Sequence, residues 1–191
     1  MSVPEQIGLQ KPNDEDDDVL WFAMRVTYNR ELSVKQLLDN ANIVNYIPIR
    51  HVVKYKNGVK RSIAQPAVRG LLFTKCTRPA IMQFKQKLPQ LQFITRRMSN
   101  KNVPIIVPDD QMTAFIKATS LDESLIEYLN TDNMDFTKGS KVKIHGGELD
   151  GMIGKYMRVS GKRAKRLLIQ VENIMSVAVE LADIDYIEII K

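Results

Sequence analysis

Residues 138–154 read KGSKVKIHGGELDGMIG. A polar turn, Lys138-Gly139-Ser140, leads into an alternating strand, Lys141-Val142-Lys143-Ile144, and then into Gly146-Gly147-Glu148-Leu149-Asp150-Gly151. Asp150-Gly151 opens a second strand, Met152-Ile153-Gly154-Lys155-Tyr156-Met157. Glycines this dense in a strand–turn–strand unit mark positive φ or close backbone approach, the requirements of a tight corner in a small barrel. An ordinary glycine-rich hairpin in some other β-barrel is the alternative, so the surrounding strands must agree.

They do agree. Alternation and short polar connections predict strands at about 141–145, 152–159, 165–172, 175–181 and 186–190. Five short strands in residues 138–191, with no helix needed, suit a five-stranded SH3-like β-barrel.

Upstream the pattern changes. Leu20-Trp21-Phe22-Ala23-Met24-Arg25-Val26 is a strand apolar on both sides, and Asn29 is a candidate N-cap for a helix to about Asn40 with Val34, Leu37, Leu38 and Ala41 in a stripe. One strand is expected over about 44–55. Asn57-Gly58 then turns it into Lys60-Arg61-Ser62-Ile63. Another strand covers about 68–74, Pro79 opens a helix carrying Ile81, Phe84 and Leu88, and Gln92-Phe93-Ile94-Thr95 returns to the sheet. Pro108, Asp109 and Asp110 begin a last helix with Met112, Phe115 and Ile116. The order β-α-β-β-α-β-α predicts an α+β fold, a sandwich of helices on a mostly antiparallel sheet, ahead of the barrel. The expected divisions are an acidic disordered tail at 1–18, a first domain at 19–121, an acidic, partly helical linker at 122–137 and a second domain at 138–191.

Charge follows the same divisions. The net charge of +6 resolves into −5 for residues 1–18, +13 for 19–121, −5 for 122–137 and +3 for 138–191. Such segregation speaks to partners rather than to fold. Cys76 is the only cysteine, so there is no disulfide framework. No run approaches the roughly 18 apolar residues of a membrane span, and no apolar signal core opens the sequence. A cytoplasmic monomer without a membrane role is expected.

The glycine-rich unit resembles the KOW motif, and the whole order of elements resembles the NusG family, an NGN domain followed by KOW. Pro48-Ile49-Arg50, then Gln65-Pro66-Ala67-Val68-Arg69-Gly70-Leu71-Leu72-Phe73, and Val103-Pro104-Ile105-Ile106-Val107-Pro108 carry that likeness over about residues 20–190. The Pro-Ile-Ile-Val-Pro segment looks closer to specialised paralogues such as RfaH and the UpxY antiterminators. The resemblance implies a transcription elongation or antitermination regulator whose NGN domain binds the clamp helices of RNA polymerase and suppresses pausing. By position, Trp21, Phe22, Pro66, Ala67, Val68, Leu71 and Phe73 are candidates for that apolar surface or its support. For Trp21, Leu72 and Phe73 a plain core role is the competing reading. Val68-Arg69-Gly70-Leu71 departs from the family, which places two aromatic anchors there and no charge.

No catalytic constellation emerges. His51, His145 and Cys76 have no sequence neighbours that would build a nucleophile or a zinc site, and the glycines lack the order of a phosphate-binding loop and its following helix. A non-enzyme with no metal and no cofactor is expected. Arg25, Arg30, Lys54, Lys60, Arg61, Arg96 and Arg97 supply positive charge with little acid to cancel it, suited to phosphates of non-template DNA or nascent RNA. Lys155, Arg158, Lys162, Arg163, Lys165 and Arg166 form a second cluster free of acids, either a solvated hairpin or a contact for RNA or a partner. In the family, KOW recruits a ribosomal protein or Rho. The rival reading is a ribosome- or RNA-binding KOW protein with no polymerase role.

Overall fold

A computed structural model describes residues 18–130, 140–158, 165–172, 174–181 and 186–190. Strand β1 (Leu20–Val26) lies at the centre of the first sheet. It pairs antiparallel with β5 (Leu71–Cys76), β6 (Leu91–Phe93) and β9 (Ile106–Val107), and β2 (Val44–Tyr46) adds to the far side of β5. A strand enclosed in this way needs apolar residues on both faces, which explains why its sequence runs LWFAMRV without alternation. Phe22, Met24 and Val26, with Leu72 of β5, meet Val34 and Leu38 of α1 (Glu31–Asn40) and Ile81 of α2 (Arg78–Lys87). On the opposite face Trp21, Ala23, Leu71 and Phe73 meet Met112, Phe115 and Ala118 of α3 (Asp109–Thr119).

Between β2 and β5 the chain leaves this sheet as a separate hairpin, β3 (Ile49–Lys56) and β4 (Val59–Pro66). The single strand expected over 44–55 is therefore broken at Ile47-Pro48. Proline cannot donate to a ladder, and the Pro48 carbonyl instead accepts from Ala67 N–H at 2.8 Å. A second hairpin, β7 (Thr95–Met98) and β8 (Lys101–Pro104), was not anticipated. Its turn residues Ser99 and Asn100 both take positive φ, 43° and 68°, in place of the usual Asn-Gly. The expected Asn29 cap is also absent: Asn29 itself has a positive φ of 52°, and α1 starts behind Arg30 without a side-chain cap.

The C-terminal strands fall where alternation placed them: β11 (Lys141–His145), β12 (Ile153–Arg158), β13 (Lys165–Val171), β14 (Met175–Glu180) and β15 (Tyr186–Ile189). Their sheet holds six strands rather than five. The sixth is β10 (Ile126–Asn130), which pairs along the free side of β14. It comes from the segment expected to be a partly helical linker. Among its described residues the 3-10 turn Glu123–Leu125 is the helical part, and Ile126 and Tyr128 then alternate and pack against the barrel core. Residues 1–17 and 131–139 lie outside the described residues.

The glycine-rich corner closes on itself. Gly146 and Gly147 take φ of 91° and 60°, Asp150 accepts from Gly146 N–H at 2.8 Å, and Leu149 and Met152 are buried beneath. The two halves touch through α3. Gln111 accepts from Glu172 N–H at 2.8 Å and Lys117 donates to the Asp150 carbonyl at 2.8 Å. A single apolar cluster runs from Trp21 and Phe73 through Phe115 to Leu167, Ile169 and Val177.

Gly154 on β12 lies close against β13. A Cβ there would lie 2.6 Å from the Leu168 carbonyl and 2.9 Å from the Leu167 side chain. Gly154→Ala is expected to destabilise the protein by about 2 kcal/mol through overpacking against backbone, measured by denaturant unfolding.

Candidate functional site

The sequence candidates fall on several separate surfaces. The first is the β1–β5 face bearing Trp21, Leu71 and Phe73. All three are buried, and so is Phe22 on the opposite face. Pairing of Trp21 with Lys75, Ala23 with Phe73 and Arg25 with Leu71 puts these side chains in one row. Phe115 of α3 stands edge-on to Phe73 at 5.7 Å between ring centres and to Tyr46 at 6.0 Å. The Tyr46 hydroxyl meets Thr119 Oγ1 at 2.5 Å. Lys75 reaches Asp109 at 2.6 Å and lies 5.9 Å from the Trp21 ring, tying the start of α3 to the sheet. Pro66, Ala67 and Val68 are half-buried at the rim of this face, and Arg69 beside them is exposed.

The turn after Val68 has a support that sequence reasoning missed. Glu31, buried at the start of α1, accepts from Gly70 N–H at 2.6 Å, while the Gly70 carbonyl accepts from Val26 N–H at 2.8 Å. An acid opening a helix is an ordinary dipole signal, so nothing in its local sequence marks Glu31 as a ligand for a turn 39 residues away.

Arg25 extends the same row of the sheet into solvent, and Arg30 is exposed at the α1 entrance. The hairpin residues are elsewhere. Lys54 and Arg61 are direct cross-strand partners on one face of the β3–β4 ribbon, with Arg50 on that face too, whereas Lys60 pairs with Tyr55 on the other. Arg96 and Arg97 alternate across the β7–β8 ribbon. Arg96 faces Glu172 at 3.6 Å and Arg97 donates to Asn100 at 3.4 Å. The nucleic-acid candidates thus form three clusters rather than one stripe.

In the C-terminal cluster Lys155 pairs across the strands with Leu168, and Arg158 with Lys165. Arg166 is ion-paired with Glu127 of β10. Lys162 and Arg163 lie outside the described residues. The β10 segment is also fastened at its start: Glu123 accepts from His51 N–H through both carboxylate oxygens at 2.9 Å and meets His51 Nδ1 at 2.7 Å. Burial raises the Tyr128 phenol to about 12, with Tyr46 and Glu123 adding to the effect, so it remains a neutral hydroxyl.

Among the described residues no three His, Cys, Asp or Glu side chains gather to hold a metal ion. Burial pushes the Cys76 thiol up, which disfavours the nucleophilic thiolate. A cleft of about 720 Å³ between α3 and the barrel is lined by Asp110, Lys117, Lys141 and Asp150 among others, with acids and bases interspersed. No helix among the described residues is long and apolar enough to cross a membrane.

A helix-backed antiparallel sheet with projecting basic ribbons is thus joined to a small β-barrel. Residues 20–116, just over half of the chain, match the family model described as transcription termination factor nusG, and the chain belongs to the NusG family of transcription factors. No curated protein matches the chain. Among solved structures it is similar to NusG of Thermotoga maritima, from a study of domain interaction in that protein, at 15% identity and a TM-score of 0.44, over 86% of this chain and 93% of that one.

The His51–Glu123 contact makes a pH prediction. The His51 N–H, and after it the His51 ring, hold the Glu123 carboxyl below its ordinary 4.5. Its contribution is therefore complete above pH 4.5 and is lost as pH falls through the lower, folded value. The His51 amide resonance is expected to titrate below pH 4.5 in NMR spectra, and Glu123→Gln to abolish that titration.

Proposed function

We propose that the protein is an elongation or antitermination regulator, not an enzyme, that binds RNA polymerase through an N-terminal domain at 19–121. A C-terminal KOW domain at 138–191 would recruit a second factor, a ribosomal protein or Rho. The observation that carries this reading is one row of the β1–β5 sheet: apolar Trp21, Ala23, Phe73 and Leu71 run directly into exposed Arg25. The Pro66–Arg69 rim that ends this row would then offer contact to the clamp helices beside phosphate contact of Arg25 with non-template DNA. Family membership supports a role in transcription. The Pro-Ile-Ile-Val-Pro segment favours a specialised cytoplasmic regulator of the RfaH or UpxY kind, acting on surface-polysaccharide operons.

Docking would use the exposed rim first. Pro66, Ala67, Val68 and Arg69 are accessible now, whereas Trp21, Leu71 and Phe73 lie under α3 and act as its support. Arg69 takes the place of an aromatic anchor, so the contact here is in part electrostatic. Binding then depends on salt more than a purely apolar anchor would.

Two measurements test the reading. Ala67→Asp combined with Arg69→Glu is expected to weaken capture of RNA polymerase on the order of tenfold, since central interface truncations commonly exceed 1 kcal/mol. Polymerase lacking its clamp helices should not be captured at all, and undiminished capture would sink the docking model. For single-stranded DNA, replacing Lys54 and Arg61 with alanine should reduce the slope of log affinity against log salt by roughly 1.4, the value for two phosphate contacts. An unchanged slope would exclude the ribbon as a phosphate contact.

A further inference from the structure

The cleft of about 720 Å³ between α3 and the barrel belongs neither to the Trp21–Arg25 row nor to the basic ribbons. Small-molecule pockets usually measure roughly 300–1,000 Å³ and favour the junction of two packed units. α3 meets the barrel here at two polar points. Gln111 accepts from Glu172 N–H and Lys117 donates to the Asp150 carbonyl, each at 2.8 Å. Gln111, Lys117 and Asp150 all line the cleft, so a molecule seated in it would touch both halves at once.

The barrel wall of the cleft follows from register. Lys141 stands opposite Lys155, and Lys155 opposite Leu168, so the three form one cross-strand row. Side chains two residues apart in a strand share a face, which sets Ile153 beside Lys155 and Gln170 beside Leu168. All five residues line the cleft. Its deeper surface is apolar: Met152, Leu168 and Ile169 are buried there, and Ala114 adds to them from α3. Ile153 by contrast is 45% exposed, which leaves apolar surface of this wall in contact with water.

Charge selects the ligand. Like charges directly opposite on neighbouring strands are destabilising, and an anion laid across Lys141 and Lys155 relieves that cost. Lys117 brings a third ammonium group from α3. The two acids of the lining offset these cations only in part. Asp150 turns its carboxylate to Gly146 N–H at 2.8 Å, and Asp110 lies about 10 Å along α3 from Lys117.

We propose that this cleft is an effector site for a small amphipathic anion, an apolar body carrying a carboxylate or a phosphate. The body lies on Ile153 and Leu168, and the anionic group takes the Lys141–Lys155 row with Lys117 across from it. Binding of such a molecule stabilises the packing of α3 on the barrel. The site goes beyond the proposed polymerase contact and does not rest on it.

The test titrates the full chain with the fluorescent probe 1-anilinonaphthalene-8-sulfonate, an apolar ring system with one anionic group. N-phenyl-1-naphthylamine, the same rings without the sulfonate, is its uncharged counterpart. The sulfonate is expected to saturate a single site and to shift the amide NMR resonances of Lys117, Gly151 and Gly154. Lys141→Glu should weaken it roughly tenfold and leave the uncharged probe unchanged, whereas Ile153→Ser should weaken both probes alike. Both substitutions replace exposed side chains, and circular dichroism checks that each variant keeps the parent fold. Displacement by 1-naphthoate or by 1-naphthyl phosphate supports the site, and the stronger competitor identifies carboxylate or phosphate as the preferred group. The proposal is overturned if binding does not saturate, if neither competitor displaces the probe, or if the NMR shifts fall elsewhere. It is equally overturned if Lys141→Glu, correctly folded, binds the sulfonate as the parent does.

Discussion

Phe115 holds the two halves of the molecule in one core. From α3 it stands against Phe73 and Tyr46 of the first sheet, and the cluster to which it belongs continues into Leu167, Ile169 and Val171 of the barrel. A buried aromatic ring removes 150–250 Å² or so from water. At about 25 cal/mol per Å², that is a few kcal/mol for one side chain. Surface ion pairs are typically worth far less. The position of α3 therefore decides how much of the Trp21–Phe73 face can meet another protein. Under the docking proposed above, the rim from Pro66 to Arg69 makes first contact, and deeper contact requires α3 or the barrel to shift.

Electrostatics refine what the apolar core sets. The acidic segment 122–137 reads as a soluble spacer in sequence, but two of its acids have defined partners: Glu123 holds the backbone and ring of His51, and Glu127 pairs with Arg166. Glu172 likewise faces Arg96. The strong segregation of charge along the chain is thus partly cancelled in space. Arg25, Arg30, Lys54 and Arg61 are exposed and stand among the cations able to act on phosphates. A basic cluster counted in sequence overstates the field that a ligand meets, because folding brings acids to it from distant segments.

Most of the barrel was legible from residues 138–191. The alternation of Lys141–Ile144, the doubled glycine and the small residue Gly154 each answer to a local constraint, and local constraints are what a sequence displays. The central strand and the three helices were legible for the same reason. What escaped was non-local or weakly marked. The β7–β8 turn uses Ser99 and Asn100 in a conformation usually signalled by glycine. Strand β10 is only five residues long and surrounded by acids, so its pairing depends on a free edge on β14 that no neighbouring residue announces. Trp21, Leu71 and Phe73 read as one group, with a plain core role the competing reading for Trp21 and Phe73; what local sequence does not mark is the element that buries them, since α3 lies more than 30 residues away in sequence.

The β3–β4 ribbon shows how a local cost can indicate a role. Two-stranded hairpins without a covering layer are marginal in water, and this one places Lys54 directly opposite Arg61, a destabilising arrangement of like charges. It also leaves Val53, Tyr55, Val59 and Ile63 exposed. Its stabilising features are the Asn57-Gly58 turn at the tip and the Glu123 contact near the root. An anion placed across Lys54 and Arg61 would turn their repulsion into shared attraction, and an apolar surface laid on Val53 and Tyr55 would cover the opposite face. Both faces mix cations with exposed apolar side chains, Lys54 and Arg61 with Val59 and Ile63 on one, Lys60 with Val53 and Tyr55 on the other. That geometry agrees with the Arg25 row of the sheet, where apolar and cationic groups also adjoin.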